Sequence, residues 1–364
     1  MKKTISLILV LALTMSVNTA KADFIFGTPV NSGPTINSSS IDAGQSISVD
    51  GLSLYFSSNR SGGHGDYDIW MTQRLSKDSP WTEPVNLGSV VNSSAGEIVT
   101  CLSADGLSLY FCDWPSNRPG GYGGEDLWVT TRETIDGEWG IPVNLGSVVN
   151  SSSDDWDSNL STDGLSLFFD SNRPGGQGDF DLWMTQRLSK DAPWAEPVNL
   201  GPTVNSSSLD IAPSISADGL ILLFTSERPG GSGDWDLWMT RRETTQADWI
   251  ESVNLGPAVN SSGPEGMPYI SADGSAIYFF SNRPGGEGGY DLWRVSIEPV
   301  VDLNDDGIVD ADDMCIIVDN WGTDNSLCDI GPMPWGDGIV DVQDLIVIAE
   351  HLFEETPRAE YILN

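Results

Sequence analysis

Asp302, Asn304, Asp306, Asp310 and Asp313 stand at positions 1, 3, 5, 9 and 12 of one twelve-residue run, with Gly307 at position 6. Oxygens at that spacing, with a glycine turn and the Ile308 carbonyl at position 7, form a donor set suited to calcium. The following Met314-Cys315-Ile316-Ile317-Val318 reads as a helix. A second run supplies Asp337, Ile339, Asp341 and Asp344 ahead of an apolar helix from Leu345 to Phe353. Its beginning departs from the pattern. Met333 and Trp335 fall at ligand positions 1 and 3, so Asp329 is expected to reach the ion through a lengthened loop. Calcium is the expected cofactor.

A different chemistry is suggested by Cys112-Asp113-Trp114-Pro115, by Asp154-Asp155-Trp156-Asp157 and by Asp170. A ring can cover the apolar face of a pyranose while oxygens bind its hydroxyls. Trp114 and Trp156, with Asp113, Asp154 and Asp157, are therefore expected to form a carbohydrate site. Hydrolysis of a glycosidic bond needs two carboxylates in unequal environments at a fixed separation. Asp113, Asp155, Asp157 and Asp170 are the candidates for such a pair. The only histidines, His64 and His351, fall in a Gly-rich loop and an expected helix, which argues against a His-rich metal site or a Ser-His-Asp triad.

These residues stand out because they interrupt a repeat. Asp-Gly recurs at Asp50, Asp105, Asp163, Asp218 and Asp273. Each is followed by an apolar strand, S-N-R-P-G-G or a variant, an aromatic-Asp-[Ile/Leu]-Trp strand, and then P-V-N-L-G and V-N-S-S. Each copy reads as four short strands, and radial repetition of such sheets makes a propeller. The second copy carries three extra residues around Trp114, and the third carries Trp156. By strand direction both lie on one face, in adjacent blades, which puts the expected carbohydrate site between the second and third. The fifth copy stops after its third strand. The missing fourth strand is expected from Phe26-Gly27-Thr28-Pro29-Val30-Asn31, which would close the ring and hide its edges.

An acid lies eight residues before each Asp-Gly: Asp42, Glu97, Asp155, Asp210 and Glu265. An arginine follows each second strand: Arg60, Arg118, Arg173, Arg228 and Arg283. Five structural ion pairs are the favoured reading, ahead of a carboxylate ring holding a cation. The G-G-x-G runs recur in every copy and read as turns, not as a nucleotide site.

Residues 26–300 resemble the WD40-like (PD40, TolB-type) propeller repeat of bacterial envelope and secreted proteins. That resemblance implies a fold and export, but no reaction, although some five-bladed propellers are glycoside hydrolases. Residues 301–354 resemble a type I dockerin, which has Asp rather than Glu at position 12. This second resemblance implies a cohesin-like partner in an extracellular, polysaccharide-processing assembly. The positions matching dockerin recognition residues are Ala311, Asp312, Val342 and Gln343. The expected fold is thus an all-β five-bladed propeller, residues 23–300, with a small α-helical calcium domain and a tail over 355–364. Binding is favoured over catalysis.

Met1-Lys2-Lys3, an apolar run from Ile5 to about Val17, and Ala20-Lys21-Ala22 read as a secretory signal peptide over residues 1–22. Without it, 14 basic residues face 53 acids, a balance that repels nucleic acid and anionic membranes. No other run is long enough to span a membrane. In an oxidising compartment close cysteine pairs favour disulfides. Cys315 and Cys328 are the expected bridge, since each adjoins a calcium-loop segment, whereas Cys101 and Cys112 lie on adjacent strands but need not face each other, which leaves a bridge or two buried thiols open.

Overall fold

The computed structural model describes residues 24–114 and 118–356. The expected signal peptide lies outside the described residues. Residues 25–298 make one compact unit and residues 299–356 the body of a second.

In the larger unit, β1 (Phe24–Phe26) and β2 (Val30–Asn31) open the chain. The first blade follows as β3 (Asp42–Ile47), β4 (Ser53–Ser58), β5 (Asp68–Gln73) and β6 (Val85–Asn86). The second is β7 (Gly96–Leu102), β8 (Ser108–Trp114), β9 (Leu127–Thr131) and β10 (Val143–Asn144). The third is β11 (Asp155–Leu160), β12 (Ser166–Ser171), β13 (Asp181–Gln186) and β14 (Val198–Asn199). The fourth is β15 (Asp210–Ile215), β16 (Ile221–Ser226), β17 (Asp236–Arg241) and β18 (Val253–Asn254). The fifth holds β19 (Glu265–Ile270), β20 (Ala276–Ser281) and β21 (Asp291–Pro299), and β1 and β2 complete it by pairing with β21.

Closure repeats the internal chemistry of a blade. Within the first blade, Asn86 donates to the Asp68 carboxylate at 2.7 Å, and Asn92 pairs its amide with the Ile69 N–H and carbonyl. At the junction Asn31 donates to Asp291 at 3.0 Å, and Asn37 pairs with the Leu292 backbone. The P-V-N-L-G and V-N-S-S motifs are thus side-chain clamps for the third strand, and the N-terminal copy supplies one for the fifth blade.

The second strand of a blade has no polar face because neighbouring blades cover both sides of its sheet. Tyr55 enters the core between the first two blades with Val99, Leu109, Phe111 and Trp128. Its neighbours Leu54 and Phe56 face the fifth blade, among Tyr278 and Phe280. Apolar burial on both faces supplies the main stabilisation.

All five acids meet their arginines. The pairs are Asp42–Arg60, Glu97–Arg118, Asp155–Arg173, Asp210–Arg228 and Glu265–Arg283, and every acid side chain is fully buried. Each guanidinium also bonds a carbonyl of the preceding V-N-S-S segment, or Ile36 in the first blade, and lies against a Phe and a Trp ring. These carboxylates are locks, not a cation ring. The G-G-x-G turns are likewise locked: Asp68 accepts the His64 and Gly65 N–H groups, and Asp181 and Asp236 repeat the pattern.

The second unit contains α1 (Ala311–Asp319) and α2 (Val342–Glu350), packed around Val309, Ile317, Ile330, Val340 and Ile348. Both helices begin with a capping box, Asp310 with Asp313 and Asp341 with Asp344. The expected Cys315–Cys328 bridge is not formed. Ile317 sets the buried face of α1, which leaves Cys315 on the exposed face, while Cys328 lies in the core and accepts from Asn325 Nδ2 at 3.4 Å. Cys101 and Cys112 are buried thiols, opposite Tyr110 and Ile98 respectively. Among the described residues no helix is long and apolar enough to cross a membrane.

Candidate functional site

Every innermost strand of the propeller is broken by a bulge. Pairing slips between Ala43 and Gln45, Val99 and Cys101, Asp155 and Ser158, Ile211 and Ser214, and Gly266 and Tyr269. A bulge bends its strand and re-aims the side chains it carries. Here the bulged segments meet at the axis, where Gly44, Val99, Asp157, Ala212 and Met267 line a throat with a cavity of only about 10 Å³. Gly44 has φ +53°, and a Cβ there would stand 2.8 Å from the Val99 carbonyl oxygen, so only glycine fits.

On one side of this throat the channel widens into a cavity of about 390 Å³. Six aromatic residues line it: Tyr67, Trp114, Trp156, Trp235, Phe280 and Tyr290. Asp157 is the one charged residue on its wall among the described residues. The cavity draws on all five blades. The site expected between the second and third blades contributes Trp114, Trp156 and Asp157 to this wall, and the other three blades supply the remaining aromatic residues.

Trp156 stacks on Phe180 with ring centroids 4.1 Å apart and donates its indole N–H to Glu125 at 2.8 Å. Trp235 donates similarly to Glu227 at 2.6 Å, and Trp114 packs edge-on to Tyr67. Two rings are thus held by acidic partners and a third by another aromatic.

The expected carboxylates separate into different roles. Asp113 is buried and accepts the Asp126 N–H at 3.0 Å, while Asp154 is held in its loop by Asn172 and Glu125. Asp155 belongs to the Arg173 lock. None of these three lines the cavity, so Asp113 and Asp154 are removed from the expected ligand set. Asp113 and Asp155 are removed from the hydrolytic one. The repeat's own structural bonds consume them.

Asp157 is different. It is 6 % exposed, lines both throat and cavity, and its carboxylate meets no hydrogen-bond donor among the described residues. Burial pushes it up to about 7. Asp170, fully buried behind it on β12, accepts the Ala212 N–H at 2.8 Å, and its Oδ2 has no partner among the described residues. Burial, reinforced by the Asp157 charge, holds its proton well above the usual carboxylate range. Ser57 and Thr225 stand where Asp170 does and accept the corresponding inter-blade N–H from Val99 and Met267. Asp170 therefore combines a repeat bond with an extra oxygen that the repeat does not use.

Sequence reasoning did not assign Tyr67, Trp235, Tyr290, Phe280 or Glu125 to the site. The signal was the residue before each D-[Ile/Leu]-Trp strand, which runs Tyr67, Glu125, Phe180, Trp235 and Tyr290. Its recurrence made it look structural. Glu125, the one break in that aromatic series, is the partner of Trp156.

In the second unit, the two loops superpose in their bonding. Asp302 accepts the Asp306 and Gly307 N–H groups, and Asp329 accepts those of Asp337 and Gly338. Asp313 accepts from Leu303, Asn304 and Asp310, and Asp344 accepts from Ile330, Gly331 and Asp341. Asp329 thus takes the place of Asp302 despite the insertion. The second loop has no counterpart of Asn304. The donors are all hard oxygens, as calcium requires. Their side chains are turned onto backbone N–H groups, and among the described residues no three acidic, His or Cys side chains gather in metal-binding geometry. Ala311, Asp312, Val342 and Gln343 are exposed on the first turns of the helices.

No protein-family model and no curated protein sequence matches the chain. In overall path it is similar to an endo-arabinase from Bacteroides thetaiotaomicron, at 16% identity over 76% of this chain and 97% of that one, with TM-score 0.49. It is similar to an α-L-arabinofuranosidase from Lactobacillus brevis at 11% identity, over 74% and 93%, with TM-score 0.48. TolB from Acinetobacter baumannii gives 14% identity, over 71% and 55%, with TM-score 0.44, so this chain spans about half the length of that one.

Proposed function

We propose that this is an exported binding protein. Its propeller holds a small, sugar-sized ligand in the axial cavity, and its C-terminal unit takes calcium and docks onto a cohesin-like partner. The observation that carries the ligand reading is the ring of six aromatic residues around a cavity of about 390 Å³ with one carboxylate on its wall. A concave, mostly apolar site with few polar groups is the usual form of a small-molecule site. Screening the protein on a broad glycan array tests this. Trp156→Ala is expected to weaken a hit about tenfold or more, the loss typical of a buried aromatic anchor. Hits that bind unchanged to Trp156→Ala and Trp235→Ala variants would remove the cavity from the account.

One observation favours a glycoside hydrolase as second reading. Asp157 keeps its proton up to about 7, as a general acid in an apolar wall does. Hydrolysis needs a second carboxylate across the substrate. Asp170 stands behind Asp157 on the same blade, with Oδ1 already taken by Ala212, so binding is the better supported reading. Reducing-sugar release from an array hit, abolished in Asp157→Asn, would reverse that order.

For the C-terminal unit, Asp302, Asn304, Asp306, the Ile308 carbonyl, Asp310 and Asp313 would hold one ion. Asp329, Asp337, the Ile339 carbonyl, Asp341 and Asp344 would hold a second. Bound calcium supplies charge neutralisation for a loop of clustered carboxylates. Calcium at a hundredfold excess over its Kd is expected to stabilise the unit by about 2.7 kcal/mol for each site filled. Melts in calcium and in chelator should therefore differ for the wild type and converge for Asp302→Ala combined with Asp329→Ala. The exposed Ala311, Asp312, Val342 and Gln343 would face the cohesin-like partner.

A further inference from the structure

We propose that the axial cavity is built for an organic cation, an amine or quaternary ammonium group seated against the aromatic rings with Asp157 as its counter-ion. This rests on the reading of the cavity as a ligand site and names the class of ligand.

Asp157 is not part of the repeat's architecture. Its counterparts at the bulge are Gly44, Val99, Ala212 and Met267, none of them charged. The fold therefore does not require a carboxylate there. The other buried acids of the inner strands each have an arginine, but Asp157 has none and meets no hydrogen-bond donor among the described residues. An uncompensated buried carboxylate is costly to keep, and a cation in the cavity would relieve that cost.

The walls have the matching sign. Aromatic faces attract cations, most strongly where water is excluded. Tyr67, Trp114, Trp156, Trp235, Phe280 and Tyr290 all line the cavity, whereas no Lys, Arg or His does among the described residues. Glu125 and Glu227, bonded to the indoles of Trp156 and Trp235, add negative potential. The titratable groups around Asp157 have the same character. They are Asp170 of β12 and the Cys112 thiol of β8, and Cys112 in turn feels the charges of Asp113 and Glu125. Glu97 of β7 and Asp210 of β15 are tied to their arginines. Of the aromatic lining, the Tyr67 phenol is pushed up by burial, reinforced by the Asp66 charge. A neutral sugar would satisfy the rings but leave Asp157 without a partner.

The test compares choline with 3,3-dimethyl-1-butanol, which has the same shape without the charge, using the whole chain and calorimetry. At pH 8 choline is expected to bind about tenfold tighter than the alcohol. Asp157→Asn should bring the two within about twofold, and Tyr290→Leu should weaken choline while keeping the preference. Near-UV circular dichroism checks that each variant is folded. In buffers of different ionisation enthalpy, choline binding at pH 6 should release protons, because the cation favours the ionised carboxylate, and release should vanish by pH 9. Equal binding of choline and the alcohol overturns the cation inference and leaves the cavity reading intact. A neutral glycan bound in the cavity while choline is ignored does the same. If neither probe nor any glycan binds there, both readings fall.

Discussion

Replacing Arg228 by alanine is expected to destabilise the propeller by about 3–5 kcal/mol, the cost of leaving a buried ion without its partner. The Arg228 guanidinium bonds Asp210 at 2.5 Å and the Val204 carbonyl at 2.6 Å, and its Nε donates to Ser226 at 3.0 Å. It also lies 4.9 Å from the centre of the Phe224 ring and 5.1 Å from that of Trp238. Truncation removes all of these and strands the fully buried Asp210 carboxylate on Ser206 and Ser226. Arg228→Lys should fall between, because an ammonium restores the charge but not the fork or the stacking. Denaturant unfolding measures both variants. A loss below about 1 kcal/mol for the alanine variant would place this lock among ordinary surface pairs.

The second large effect is a change in pH dependence. The folded chain keeps Asp157 protonated up to about 7, whereas an unfolded chain releases that proton near pH 4. Between these values the folded state binds the extra proton, so wild-type stability falls as pH rises, and the cost of Asp157 is complete above about pH 7. Asp170 is raised in the same direction by burial and by Asp157, and extends the decline to higher pH. Asp157→Asn removes the first titration. It should match the wild type near pH 4 and exceed it by up to about 4 kcal/mol at pH 8, taking 1.36 kcal/mol per pKa unit. Unfolding at a series of pH values gives this difference directly. A gap that stays constant with pH would mean that Asp157 is solvated in the folded protein. Choline at saturation should narrow the gap, since it stabilises the ionised wild type.

Much of the propeller was legible in the chain because repetition averages out local ambiguity. Five Asp-Gly turns, five D-[Ile/Leu]-Trp strands and a displaced fourth strand leave one closed arrangement, and Asn31 with Asp291 realises it. The acid–arginine locks were legible for the same reason, since equal numbers at equal spacing pair most simply with one another. The two loops that lead into α1 and α2 were likewise local patterns, down to Asp329 making the backbone bonds that Asp302 makes.

The site was only partly legible. Trp114, Trp156 and Asp157 were singled out because they break the repeat, and these three do line the cavity. Asp113, Asp154 and Asp155 broke it too, or sat beside the break, yet the backbone and Arg173 consume their oxygens. Nothing in residue type separates Asp155 from Asp157. They differ by two positions on a strand, and a bulge between them sends one to an arginine and the other to the axis. Cys315 and Cys328 teach the same lesson, for the phase of α1 turned one thiol outward while a turn beyond that helix placed the other in the core. By itself the sequence determined the number of blades, their closure and the chemistry available at each turn, because those follow from local periodicity. Only the tertiary structure decided which side chains share the axial cavity. That depends on where five bulged strands converge, and convergence is a property of the closed ring rather than of any one blade.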